Sequence, residues 1–198
     1  MRELIDRYQW VQQLDVVMTF AVIQGRSVDE VVRIYGGDPA QSQLMTTIEA
    51  EDAGLDDGDD FYFQVFEHQD AVVALESNGW SGTVPEVARR ASADDGHFFS
   101  VHWNANGMFR ITEARGGKVT AYFEPTFGVE PAAPEDVMPE WAEGLELQPA
   151  ELRAACLALV EQETGVAFEE EWLVKKLPTF RIPDPDELLR DVEGARTP

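Results

Sequence analysis

The chain is poor in cysteine, histidine and basic residues. Of its 198 residues one is cysteine, Cys156, three are histidine and 15 are Lys or Arg, against 38 Asp or Glu. A single cysteine permits no internal disulfide and no cysteine-based zinc site. His68, His97 and His102 fall in separate elements, without the His-Glu-x-x-His or His-x-His spacing of metal sites, so neither a metal nor a cofactor is expected. The formal charge of −23 argues against a nucleic-acid or anionic-membrane surface, both of which need clustered Lys and Arg. No apolar run reaches the roughly 18 residues of a membrane span. Met1-Arg2-Glu3 opens a charged amphipathic pattern without a signal-peptide core, so the expectation is a soluble, cytoplasmic protein.

Complete catalytic motifs are missing too. Asn78-Gly79-Trp80-Ser81-Gly82-Thr83 approaches the Gly-x-Ser-x-Gly nucleophile elbow, but Thr83 stands where the second glycine is required. Gly36-Gly37 and Gly116-Gly117 lack the flanking residues of phosphate loops. Glu49 to Asp60 is the densest acidic run. If Gly58 is set at the obligatory glycine of a calcium loop, ligand positions fall on Ala53, Leu55 and Gln64, so a solvated loop is the expectation.

What is present is enough apolar area to fold: 44% of the residues are hydrophobic, with eleven Phe and five Trp, which acidic disordered chains lack. Helical spacing of Leu4, Ile5, Tyr8, Val11 and Leu14 predicts a helix over 2–14. The β-branched run 16–23 predicts a buried strand, and Ser27 with Glu30 predicts a capped helix that stops at Gly36-Gly37. The runs 61–66 and 71–76 predict a hairpin, followed by a short proline-started helix at 85–90. Residues 125–148, with four prolines, read as a long excursion with a short helix at 135–142. Helices are expected at 149–164, with Cys156 on its apolar face, and at 169–176.

Three further strands, 98–104, 108–113 and 118–124, predict a meander. Three-residue turns at Ala105-Asn106-Gly107 and Arg115-Gly116-Gly117 put Trp103 opposite Phe109 and Phe109 opposite Phe123, keeping the large apolar side chains on one face. The outward face then carries three rows: His102, Arg110 and Tyr122; Ser100, Thr112 and Thr120; Asn104, Met108 and Glu124. Cross-strand neighbours lie about 5 Å apart, so a ligand or partner face of His102, Arg110, Tyr122, Glu124 and Asn104 can bind an anion or move a proton. Glu76, Asn78 and Trp80 form a candidate turn and rim beside it.

The strand Met18-Thr19-Phe20, the helix Ser27 to Arg33, the block Ala74-Leu75-Glu76-Ser77-Asn78-Gly79-Trp80-Ser81-Gly82 with Pro85-Glu86-Val87, and the later Val101-His102-Trp103-Asn104 and Phe123-Glu124-Pro125 together resemble an uncharacterised actinobacterial family, domain of unknown function 6461. The likeness covers most of residues 10–180. It implies a stand-alone α+β domain of a bacterial cytoplasm, with Glu76, Trp80, Gly82 and Asn104 as positions of interest, and it brings no catalytic residues.

The expected fold is α+β: a twisted antiparallel sheet of five or six strands with helices packed on one face. One domain spans 1–182, and 183–198 form a loosely held acidic tail or docking segment. The function expected from charge and missing motifs is a non-catalytic interaction module, of immunity or regulatory type, that binds a basic protein partner. The alternative is a small-ligand binder or enzyme using the face around His102, Arg110, Tyr122 and Glu124.

Overall fold

Apart from Thr19, the run from Met18 to Ile23 is apolar without alternation because both sides of that strand are covered. Strand β1 (Met18–Gln24) is central to its sheet. It pairs on one side with β4 (Ala71–Ser77) and on the other with β5 (His97–Trp103). The structure, a computed structural model, describes residues 1–14, 16–57, 60–127, 131–143, 145 and 147–198. Among these residues one antiparallel sheet has eight strands, in the order β2-β8-β3-β4-β1-β5-β6-β7, with β2 at Gln43–Met45, β3 at Asp60–His68, β6 at Phe109–Arg115, β7 at Lys118–Phe123 and β8 at Leu177–Pro183.

Eight strands replace the expected five or six. The strands missed are β2, only three residues long, and β8, whose Pro178 and Pro183 suppress a strand signal. Pro178 is tolerated because the pairing of β8 with β3 begins one residue later, at Thr179 opposite Gln64.

Helices lie on both faces rather than one. Phe20, Val22, Leu75, Phe99, Val101 and Trp103 face α1 (Arg2–Arg7), the 3-10 turn Gln9–Gln13 and α5 (Leu152–Thr164). Ala21, Ile23, Phe63, Val65, Ala74 and Phe98 face α2 (Val28–Ile34) and α4 (Pro85–Ala91). The outward meander face is therefore covered: Ser100, His102 and Thr112 are buried. α5 is buried on nearly every side, through Ala154, Leu157 and Ala158 as well as the expected face. Cys156 sits inside it, its thiol pushed up to about 12 by burial alone, which leaves an inert core residue.

The acidic run is mostly helix, not loop. α3 (Thr47–Asp57) is opened by a reciprocal cap: the Glu49 amide donates to Thr46 Oγ1 at 3.2 Å and the Thr46 amide to Glu49 Oε2 at 2.8 Å. The expected cap at Ser27 and Glu30 is present on α2. The expected helix at 169–176 is a 3-10 segment, Glu170–Leu173, and that at 135–142 shrinks to Glu140–Ala142.

The first meander turn has the expected register, with Trp103 opposite Phe109. The second does not. Gly116 and Gly117, both at positive φ, make a two-residue turn with Arg115 opposite Lys118. Thr120 then bulges, so Ile111 rather than Phe109 opposes Phe123. The bulge restores the inward alternation that a two-residue turn alone breaks, and Phe123 stays in the core.

The segment after β8 packs against α4. Leu189 and Ala195 are buried, Ala195 accepts from the Glu86 amide, and Arg89 donates to the Gly194 and Thr197 carbonyls. No helix among the described residues is long and apolar enough to cross a membrane.

Candidate functional site

A polar row crosses the middle of the sheet on the face that carries α2 and α4. Glu76 on β4 pairs with Thr19 on β1, Thr19 with His102 on β5, and His102 with Arg110 on β6. The row is anchored at Glu76, which is buried and whose two carboxylate oxygens accept the Ser81 and Gly82 amides at 2.8 Å each. Burial raises the Glu76 carboxyl to about 7, against the opposing pull of those backbone donors.

The loop bends tightly around this carboxylate. A Cβ on Gly79 would sit 2.7 Å from Glu76 Oε2, and one on Gly82 would sit 2.8 Å from Thr19 Cγ2, so both positions require glycine. Asn78, at φ 58°, starts the reversal. The loop delivers the half-buried Trp80 to the same cleft that His102 lines. Tyr35, stacked on Phe63, brings a buried hydroxyl without a hydrogen-bond partner to the same neighbourhood, where it would lie 3.3 Å from a Cβ on Gly82.

The protonation of His102 follows from its neighbours. Thr19 Oγ1 lies 2.7 Å from the Gly79 carbonyl oxygen and 2.9 Å from His102 Nδ1. The hydroxyl has one proton, and only the carbonyl must receive it, so Nδ1 is the donor to Thr19 and Nε2 carries a bare lone pair. Among the described residues the ring makes no second hydrogen bond. Burial, helped by the charge of Arg110, lowers the ring to about 4, which keeps it neutral at physiological pH.

His102 lines a cleft of about 240 Å³ with Trp80, Thr83, Pro85, Met108, Arg110, Tyr122 and Arg196. Two guanidinium groups lie over aromatic rings there: Arg110 4.3 Å from the Tyr122 ring centre, and Arg196 5.0 Å from that of Trp80. Each also pairs with an acid, Arg110 with the buried Asp136 at 3.3 Å and Arg196 with Asp186. Asp136 is itself held by the Ala132 and Ala133 amides, which fixes the position of Arg110.

Trp80, His102, Arg110 and Tyr122 thus converge, whereas the other predicted residues do not join them. The bulge moves Tyr122 opposite Thr112, out of the expected row with Arg110, yet the Arg110 side chain still reaches its ring. Asn104 accepts from the Asn106 and Met108 amides inside the hairpin turn. Glu124 is occupied by the Phe109 amide and the Thr126 hydroxyl. Asn78 lines a separate hollow beside Ala50 and Tyr62. The residues missed were Arg196, assigned to a loose tail, and Thr19, whose signal was its place within a buried strand.

A second buried polar cluster lies on the opposite face. Glu113 accepts from His97 Nε2 at 3.0 Å, Trp141 Nε1 at 3.0 Å and Arg115 Nε at 2.7 Å, while His97 Nδ1 faces Gln24 Oε1 at 3.1 Å. Burial acts to raise the Glu113 carboxyl, but these donors and the Arg115 charge outweigh it and hold it down to about 2. With every partner internal, the cluster ties β5, β6 and the 139–142 segment together.

Fold and cleft together define an α+β protein with one antiparallel sheet, covered on both faces, and an arginine-lined cleft at the edge of the α4 layer. The chain belongs to a family of unknown function, DUF6461, whose model matches residues 1–177. No curated protein and no solved structure matches it. Arg196 lies beyond the matched residues, so the cleft combines a family wall with one supplied by the following segment.

Proposed function

We propose that the protein is a cytoplasmic binder of a small planar anion, such as an aromatic carboxylate, held in the cleft between α4 and the meander. The supporting observation is the convergence of Arg110, Arg196 and the bare Nε2 of His102 on one concave site in a chain of net charge −23. Elsewhere the surface field repels anions; here Arg110 and Arg196, although each pairs with one acid, keep further N–H donors that a carboxylate can take up. Trp80, Tyr122, Pro85 and Met108 offer apolar walls to a flat body. His102 Nε2 accepts a hydrogen bond from a hydroxyl or amine on the ligand. Binding is favoured over catalysis because the lining residues include no carboxylate, cysteine or serine to act with His102.

The test is a titration with benzoate, and separately with inorganic phosphate, followed by the Trp80 indole and His102 side-chain nitrogen resonances. Benzoate is expected to move both signals, phosphate to move them less, and Arg110→Gln to weaken benzoate by about tenfold, the worth of one charge-assisted hydrogen bond. Stationary signals with both probes, or undiminished affinity in a folded Arg110→Gln protein, would overturn the proposal.

A further inference from the structure

The loop that carries Trp80 into the cleft is fastened to the sheet through buried polar side chains. Thr19 Oγ1 donates to the Gly79 carbonyl at 2.7 Å and Ser100 Oγ to the Gly82 carbonyl at 2.6 Å, while Glu76 accepts the Ser81 and Gly82 amides at 2.8 Å each. The Ser81 hydroxyl adds a bond to the same carboxyl. Asn78, at φ 58°, begins the loop, and the 3-10 turn Ser81–Thr83 closes it ahead of α4. Trp80 directly precedes the two amides that Glu76 holds, and its ring lies in the cleft wall 5.0 Å from the Arg196 guanidinium. The state of one buried carboxyl therefore bears on the position of a cleft residue.

A carboxylate buried with no cation beside it is costly. Thr19 on β1 and Phe63 on β3 flank Glu76 across the sheet. The end of α2 brings Tyr35, whose buried hydroxyl makes no hydrogen bond, and α3 brings Glu51 to the hollow beside Ser77 and Asn78. His102, one strand beyond Thr19, is neutral at physiological pH. Among the described residues no cation offsets the burial of Glu76, which raises its carboxyl to about 7. We propose that loop 78–83 is a gate for the cleft worked by the proton on Glu76: closed, with Trp80 in the wall, while the carboxyl is neutral, and opened as ionisation favours a hydrated carboxylate. This regulation rests on the reading of the cleft as the binding site. Closure loses support as pH rises, so a ligand that needs Trp80 is held less firmly on the alkaline side. By linkage, the bound ligand favours the neutral carboxyl.

The test is hydrogen exchange of the Ser81 and Gly82 amides in the full chain, corrected for intrinsic rates, with and without benzoate. Without ligand their protection is expected to fall about tenfold from pH 6 to 8.5, the change for a carboxyl that titrates near 7 when closed and at its ordinary value when open. Both amides should exchange faster than that of Val22 in β1 at every pH, which separates opening of the loop from unfolding of the chain. Glu76→Gln should be less protected at pH 6 and constant with pH. Ser100→Ala, which removes one fastening and leaves the carboxyl, should lower protection by the same factor at both pH values, and Glu51→Gln should follow wild type. Saturating benzoate should restore protection at pH 8.5. Wild-type protection constant with pH, exchange no faster than that of Val22, an undiminished slope in Glu76→Gln, or a lost slope in Ser100→Ala or Glu51→Gln would overturn the inference. A loop that responds to pH but not to benzoate would support the gate and count against the cleft ligand alone.

Discussion

The hydroxyl of Thr19 joins His102 Nδ1, at 2.9 Å, to the carbonyl of Gly79, at 2.7 Å, and so sets which nitrogen of His102 carries the proton. One buried threonine on the central strand decides the chemistry offered by a histidine on its neighbour.

Thr19→Val keeps the shape and removes the relay. It leaves the Gly79 carbonyl and His102 Nδ1 without their partner, so stability should fall by about 1–3 kcal/mol in urea denaturation. The His102 side-chain nitrogen spectrum should lose its single-tautomer pattern. A spectrum identical to wild type would mean that another group orients the ring.

Glu76 makes stability fall on the alkaline side. Its carboxyl is raised from 4.5 to about 7 in the folded state, so the unfolded chain releases its proton first and folding loses support as pH rises through this window. The loss should approach about 3 kcal/mol above pH 7, at about 1.4 kcal/mol per pH unit. Glu76→Gln should be less stable overall at low pH and should flatten the decline; urea midpoints measured from pH 4 to 8 check both.

Glu113 acts with the opposite sign. Its carboxyl is depressed from 4.5 to about 2, so its contribution is complete above the unfolded value and disappears as pH falls toward 2. Glu113→Gln should be destabilised by about 3 kcal/mol or more near neutrality and differ much less from wild type near pH 2, as read by thermal unfolding. A constant difference across that range would show that charge is not what Glu113 contributes.

Deletion of residues 194–198 removes both carbonyls that Arg89 binds and takes Arg196 from Trp80. The sheet and the α5 layer do not depend on these residues, so the circular dichroism spectrum should be retained. The melting temperature should drop by several degrees, as expected for roughly 1–2 kcal/mol in a domain of this size. Benzoate affinity should fall about three- to tenfold with the loss of one guanidinium. Full affinity after deletion would assign the cleft to Arg110 and His102 alone.

Much of the sheet was legible because local signals and burial agreed. The β1 run, the 61–76 hairpin, the Ser27 cap and the Ala105-Asn106-Gly107 turn each carried a pattern that survives folding. The second meander turn was misread because Gly116-Gly117 alone is compatible with two or three turn residues, and the Thr120 bulge that settles the register leaves no mark in composition. α3 was hidden by its charge, although Thr46 and Glu49 formed a capping box in plain view. In the site, Trp80, His102, Arg110 and Tyr122 could be assembled from strand order. Arg196 could not, since it arrives from nearly ninety residues further on through the packing of its own segment on α4.

By itself the sequence determined the charge, the inward and outward alternation of most strands and the glycines that the Glu76 loop needs, because these follow from side-chain chemistry and nearest-neighbour geometry. Only the tertiary structure decided that helices cover both faces, that His102 is buried with Nε2 free, and that two arginines meet at one cleft. Those outcomes depend on contacts between segments far apart in the chain, where burial and hydrogen bonding set the protonation and orientation that the isolated residues leave open.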